Sequence, residues 1–327
     1  MRSVFMTGGA GFLGRGILRW AASAHPDVRF TIFSRDEAKH SPVRHEFPHH
    51  TFVVGDVCDK GRLTLAMAGH DTVIHAAAFK YVPQAEINVV EAIKVNVAGS
   101  RNVAEAALML GVKKVIGIST DKACQPVNVY GSTKLLMERL FQEADTVSGF
   151  TNFNLVRYGN VLSSTGSVIP LFRKQARAGH MTVTNRRMTR FWLSVDQAVH
   201  LIDLALQEIR GGTILIPRLY SAEMETVAIA CKWLEVGPDA EVEIEDIGQR
   251  FGEKVHEQLL TEIETVYAEW YNESIYRLYP VTEGPRQHFD GDGGLIRPYS
   301  SERFSSSGAD GWYSIDQFVE LIKAAPE

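Results

Sequence analysis

A doubly wound parallel α/β sheet carrying a smaller mixed α/β lobe is the fold that this sequence predicts, on three observations. Its first third alternates short β-branched apolar runs with helix-like stretches, the pattern of repeated strand–helix–strand units around a parallel sheet. Gly8, Gly11 and Gly14 stand three residues apart between the first apolar run and the first helix-like stretch. After Asn160 the alternation loosens, with Gly and Ser gathered between Ser163 and Ser167.

Taken in order, strands are expected at Ser3 to Thr7, Arg29 to Phe33, Thr51 to Val54, Thr72 to His75, Lys114 to Ile118 and Thr151 to Arg157, runs rich in Val, Ile, Phe and Thr. Between them, Leu13 to Ala24, Val89 to Leu110 and Ser132 to Glu143 read as helices. Helices are also expected at Pro170 to Ala178, Val195 to Ile209 and Ser314 to Ala324. Phe289 to Gly311, rich in Gly, Ser and Asp, should be irregular. Residues 1–161 and 190–213 are assigned to the sheet-bearing domain, and 162–189 and 214–327 to the smaller lobe.

The chain of 327 residues is 45% hydrophobic and 22% charged, within the ordinary globular range and long enough for a large core. A formal net charge of -5 offers no electrostatic ground for nucleic acid or an anionic membrane as partner. The three cysteines, Cys58, Cys124 and Cys231, are far apart and form no CxxC pair, which points to a reducing cytoplasm rather than a disulfide framework or a zinc site. The opening MRSVFMTGGAGFLG enters a strand at once, leaving no room for a signal peptide, and no apolar run is long enough to span a bilayer. His49, His50, His200 and His256 show no metal-ligand spacing, and no metal is expected.

The stretch VFMTGGAGFLGRGIL gives the glycines their meaning. Gly8 permits a tight turn, Gly11 lets the backbone approach a pyrophosphate, Gly14 allows close helix packing, and the helix N-terminus offers N–H groups to anionic oxygen. This is the Rossmann-type dinucleotide signature, and Thr7, Phe12 and Leu13 are counted with it. The second strand ends in FSRDEAK, with Ser34 and Arg35 where an NAD enzyme usually presents a carboxylate. A guanidinium pairs bidentately with a 2'-phosphate, so NADP is expected; Asp36, next in line, keeps NAD open, and Lys39 joins the same set. Asp56 suits an adenine amino group, with Val57 beside it. Ala76, Ala77 and Ala78 are small enough for a cofactor to pass, though tight core packing explains them too, and Lys80 would find a partner in pyrophosphate.

VIGISTDKACQPVNVYGSTKLLMERL carries the candidate catalytic residues. An apolar strand ends in Ser119, Thr120, Asp121 and Lys122, and a helix opens with Tyr130 and Lys134, four apart on one face. A nearby ammonium and a positively charged nicotinamide would favour the phenolate, fitting Tyr130 to take a proton from a sugar hydroxyl as hydride leaves. Thr120 can hydrogen-bond the same hydroxyl.

STDKACQPVNVYGSTKLLMERL resembles the signature of the inverting UDP-N-acetylglucosamine 4,6-dehydratases, within the extended short-chain dehydrogenases/reductases. HAAAFKYVPQAEINVVEAIKVNVAGSRNV, VRYGNVLSSTGSVIPLF, MTRFWLSVDQAVHLI, GQRFGEKVHEQL and YSSERF are similar in the same order, so the resemblance spans nearly the whole chain and is weakest from Tyr267 to Gly294. It implies oxidation at C4, proton removal at C5, loss of the C6 hydroxyl and hydride return to C6. Lys122 is then the C5 base, with a depressed pKa, and Asp121 the acid at the C6 hydroxyl. The resemblance further implies a UDP-sugar partner contacted by Lys80, Asn160, Ser167, Val168, Thr189, Arg190, Arg250 and Glu253, and a homodimer or higher homo-oligomer formed through the helices Val89 to Leu110 and Ser132 to Glu143. Arg250 and Glu253 read equally as a buried ion pair, and Phe191 and Trp192 read as core before uracil stacking. Tyr130 resembles the inverting branch, since membrane-attached retaining relatives commonly carry methionine there. Phe251 departs from the family's usual proline, and Cys124 and Gln125 from its usual small or polar residues. An NDP-sugar 4-epimerase shares Thr120, Tyr130 and Lys134 but has no use for Asp121 and Lys122; a non-enzymatic NADP sensor leaves Tyr130 and Lys134 unexplained.

Overall fold

The computed structural model describes residues 1–284 and 304–325, together with the backbone of His288–Phe289 and Leu295–Ile296. Six strands come first: β1 (Ser3–Thr7), β2 (Arg29–Ser34), β3 (Thr51–Val54), β4 (Thr72–His75), β5 (Lys114–Ile118) and β6 (Asn152–Val156). There follow β7 (Asn160–Val161), β8 (His180–Val183), β9 (Thr189–Leu193), β10 (Ile214–Pro217), β11 (Tyr220–Glu223), β12 (Glu243–Asp246), β13 (Ala268–Asn272) and β14 (Ile275–Leu278). Nine of them form one sheet in the order β13-β14-β10-β6-β5-β4-β1-β2-β3. From β3 to β10 all pairings are parallel, and β14 and β13 extend it antiparallel. The expected doubly wound sheet is therefore present, and β10, β13 and β14, from the part of the chain assigned to the lobe, complete it.

The chain winds outward from β1 through β2 to β3, then returns to lay β4 on the other side of β1. Such a reversal opens a crevice above the strands' C-terminal ends. The register levels those ends: Thr7 lies opposite Phe33 and His75, and Ile118 opposite Val156. The loops that follow them thus share one rim. Val4, Phe5, Val73, Ile74, Val115, Ile116, Phe153 and Leu155 are all fully buried, as strands covered by helices on both faces require. A second apolar cluster gathers Phe172, Trp192, Val227, Cys231 and Phe318 around the small sheets β11-β9-β7 and β12-β8.

The expected helix Val89 to Leu110 is interrupted. It comprises Val89–Ile93, a π-helical turn Lys94–Ala98, and Gly99–Leu110. The turn contains Asn96, 1% exposed, whose Oδ1 accepts from Phe79 N at 2.7 Å and whose Nδ2 donates to Phe79 O and Thr133 Oγ1, both at 2.9 Å. The helix expected at Ser132 to Glu143 runs Val129–Val147, because Asn128 Oδ1 caps Gly131 N at 2.7 Å and starts it earlier. The other expected helices are found as Phe12–Ala24, Val168–Arg177, Val195–Gln207 and Ile315–Lys323. Within the expected irregular segment, residues 290–294 and 297–303 lie outside the described residues.

Candidate active site

The crevice is a cleft of about 1000 Å³ that runs from the Gly-rich turn to Arg250 and Glu253. At its first end Gly8 adopts φ +69°, and a Cβ there would stand 2.7 Å from Ala77 N, so the turn and its approach to β4 both require glycine. The helix Phe12–Ala24 has neither a side-chain cap nor an acidic residue in its first turn. Phe12 and Leu13 line the cleft there, an arrangement that suits a bound pyrophosphate. Gly14 does not line it: its Cβ position is 2.1 Å from Gly9 O, so its smallness serves the turn against the helix. Thr7 likewise does not line the cleft, being fully buried with Oγ1 held by His75 Nδ1 at 2.7 Å.

Ser34, Arg35, Asp36, Lys39, Asp56 and Val57 follow along the rim, then Ala76, Ala77, Ala78 and Lys80. Arg35 Nη1 lies 3.6 Å from Asp56 Oδ2 and 3.8 Å from Glu91 Oε1. Asp36 is engaged with Lys39, its Oδ1 accepting from the backbone N at 3.2 Å and its Oδ2 3.1 Å from Nζ. Those contacts hold its carboxyl below the ordinary carboxylate range. Arg15 and Arg19, which the sequence reading passed over, also line this end and pair with Glu46.

β5 delivers Ser119 and Thr120 to the middle of the cleft, where Lys122, Tyr130 and Lys134 also face it. Asp121 stands behind them, fully buried, with Oδ1 accepting from Thr120 Oγ1 at 2.9 Å and from Lys122 Nζ at 3.0 Å. Burial pushes the Tyr130 phenol up to about 12, against the pull of Lys122 and a hydrogen bond with Thr120. The protein alone therefore does not favour the phenolate that was expected. Lys134 Nζ donates to Met137 Sδ at 3.0 Å, and burial pushes its ammonium down to about 8 despite Glu138.

Lys122 also departs from expectation. Burial pulls its ammonium down, but Asp121 and Glu257 outweigh burial and hold it above the ordinary lysine value. Burial raises Asp121, and Glu257 adds to that, while Lys122 opposes it. The amine–carboxyl pair thus shares protons within one buried cluster rather than presenting a depressed lysine.

Asn160, Ser167, Val168 and Arg190 line the far half with Arg250 and Glu253. Arg250 Nη1 is 3.8 Å from Glu253 Oε1, and with Arg250 51% exposed the pair is not the buried one considered above. Thr189 turns away, its Oγ1 engaged with His256 Nδ1 at 2.8 Å and Ser306 Oγ at 2.6 Å. Phe191 and Trp192 are 2% and 1% exposed, and Trp192 packs edge-on to Phe318, as core residues do. A profile described as polysaccharide biosynthesis protein matches residues 4–279. The chain belongs to that polysaccharide biosynthesis protein family.

It is 41% identical over 266 residues, 80% of this chain and 78% of the relative, to a Campylobacter jejuni protein named UDP-N-acetylglucosamine 4,6-dehydratase (inverting). It is 40% identical over 276 residues, 82% of this chain and 80% of the relative, to a Rickettsia conorii protein named UDP-glucose 4-epimerase. Among solved structures, Pen from Bacillus thuringiensis superposes with a TM-score of 0.87 at 31% identity, covering 98% of this chain and 97% of that one.

Two groups beside Tyr130 and Lys122 escaped the sequence reading. Tyr158 lines the cleft, and burial, with Tyr130 adding to it, raises its phenol above the ordinary value. Glu257 lies 3.6 Å from Lys122 Nζ. Glu257 stands in GEKVHE, next to residues already assigned to substrate, but nothing in that segment points to Lys122 as its partner. Among the described residues, no helix is long and apolar enough to cross a membrane.

Proposed function

We propose that this chain is an NADP-dependent UDP-N-acetylglucosamine 4,6-dehydratase that inverts C5. The observation that carries the reading is the Asp121–Lys122 pair, 3.0 Å apart beside Tyr130 and Lys134. Hydride removal at C4 needs a tyrosine and a lysine; eliminating the C6 hydroxyl needs a further acid and base, and this pair supplies both.

Thr120 orients the C4 hydroxyl and Tyr130 takes its proton. When bound, the oxidised nicotinamide supplies a hydride acceptor and the positive charge that the Tyr130 phenolate requires. Lys134 holds the ribose beside that tyrosine. Lys122 removes the C5 proton, Asp121 protonates the leaving C6 hydroxyl, and Lys122 returns a proton to the opposite face of C5. Asn160, Ser167, Val168 and Arg190 orient the sugar and diphosphate, and Arg250 and Glu253 meet the uridine end. Thr189 supports that wall from behind. Arg35, which lines the cleft beside Ser34, supports the choice of NADP, because its guanidinium would pair with a ribose 2'-phosphate.

Incubating the protein with UDP-N-acetylglucosamine and NADP+ tests the reading by mass: a product lighter by one water is expected. A product of unchanged mass would instead favour the 4-epimerase reading, to which the relatives of that name lend support, and unaltered substrate would sink both. The free cysteines fit a cytoplasmic setting. Val90, Ile93 and Met109 between Val89 and Leu110, and Leu136 on the helix Val129–Val147, 80%, 46%, 71% and 50% exposed, fit a homodimer or higher homo-oligomer formed through these helices, which sedimentation at a single-chain mass would contradict.

A further inference from the structure

Beneath the cleft, two carboxylates flank one ammonium. Lys122 Nζ lies 3.0 Å from Asp121 Oδ1 and 3.6 Å from Glu257 Oε1. Asp121 and Glu257 are 0% and 3% exposed, and Asp121 Oδ2 and Glu257 Oε2 find no hydrogen-bond partner among the described residues. A carboxylate persists in such a place only where a cation compensates it. Lys254 Nζ stands 3.8 Å from Glu257 Oε2 but donates to Cys124 O at 2.6 Å. Arg190, also felt by Glu257, spends Nη1 on the carbonyls of Thr189 and Val255. Lys122, by contrast, meets three side chains among the described residues, Asp121, Asn160 at 3.3 Å and Glu257.

Glu257 is itself firmly seated. Its backbone N donates to Ser306 Oγ at 2.9 Å, and its carbonyl accepts from Ser306 N at 2.8 Å. Lys254 and Glu257 thus fasten the segment that carries Arg250 and Glu253 onto the loop that carries Lys122.

We propose that Glu257 is the positioning residue of the elimination step: it holds the Lys122 amine toward the sugar and sets the pH at which that amine is free to accept the C5 proton. The proposal rests on the reading of Lys122 as the C5 base. In that step the C5–H bond breaks and its proton passes to the Lys122 amine. The electron pair becomes the C5–C6 double bond as the C6–O bond breaks, and the departing hydroxide takes the Asp121 proton to leave as water. Glu257 takes up no proton; its charge stabilises the ammonium as it forms. Among the described residues, the charged and titratable groups facing this cluster are Tyr130, Arg190 and Lys254. None of them duplicates the contact of Glu257 with Lys122.

The test compares full-length wild type, E257Q and E257D across pH, following water loss and solvent deuterium at C5 alongside the absorbance of reduced nicotinamide. For E257Q we expect dehydration about tenfold or more slower at the wild-type optimum, with the ascending limb of its rate profile at lower pH and C4 oxidation retained. E257D, whose carboxylate is withdrawn from Nζ, should move the limb the same way by less, and serves if E257Q does not fold. A folded variant whose limb coincides with that of a dehydrating wild type overturns the positioning role alone. A wild type that exchanges no C5 proton overturns the base assignment beneath it, and the proposal with it.

Discussion

Lys122 and Arg35 each carry a distinct part of the account. Replacing Lys122 by Ala leaves Tyr130 and Lys134 in place, so C4 oxidation should persist while dehydration falls about a hundredfold or more. Parallel assays of nicotinamide reduction and water loss measure the split, and equal losses in both would contradict the assignment. Arg35, 3.6 Å from Asp56, is already compensated and exposed, so losing it should cost little stability. Arg35→Ala should weaken NADP binding about tenfold while leaving NAD nearly unchanged, measured by titration of each cofactor. The glycine turn, Tyr130 and Lys134 were legible because their spacing relative to strand ends is local. Glu257 was not, because its partner Lys122 is brought to it only by tertiary folding. The turning away of Thr189 was equally hidden, since it depends on His256 and Ser306.

At the scale of elements, the first six strands were legible nearly to the residue because their apolar runs are uninterrupted and alternate with helix-like stretches. The π turn at Lys94–Ala98 was not, since its helical periodicity is almost unbroken and only the demand of Asn96 for Phe79 and Thr133 betrays it. β10, β13 and β14 of the large sheet, and the strands of the small sheets, were missed because they lie at or beyond Asn160, where the regular strand–helix alternation ends. One element junction can be tested. Arg157, fully buried, donates to Glu138 Oε2 at 2.7 Å on the helix Val129–Val147 and to Glu264 Oε1 at 2.8 Å near the C-terminal strands. Glu138→Gln should destabilise the fold by about 3 kcal/mol, read from denaturant midpoints, because Arg157 then keeps its charge with half its compensation. A loss below about 1 kcal/mol would show that Glu264 suffices alone.

Over the whole molecule, His75 ties pH to stability. Its ring is fully buried between Thr7 and Ser100, and burial, with Lys134 adding, pushes it down to about 3. The unfolded chain therefore binds the proton first as pH falls below about 6.5, and stability is lost progressively from there toward pH 3. Each pH unit in that window should cost up to about 1.4 kcal/mol through this one group. His75→Asn should flatten that part of the wild-type profile of denaturation against pH, and an unchanged slope would place the titration elsewhere. Ala76 and Ala77, which directly follow β4, line the cleft, so the acid-sensitive core and the cleft wall are continuous. The central claim, elimination across C5 and C6, is tested most directly by proton NMR of UDP-N-acetylglucosamine turned over with NADP+ in deuterated water. The account predicts a 4-keto product, dehydrated, with one deuterium at an inverted C5. A dehydrated sugar with its original C5 proton, or one with C5 unchanged in configuration, would contradict it.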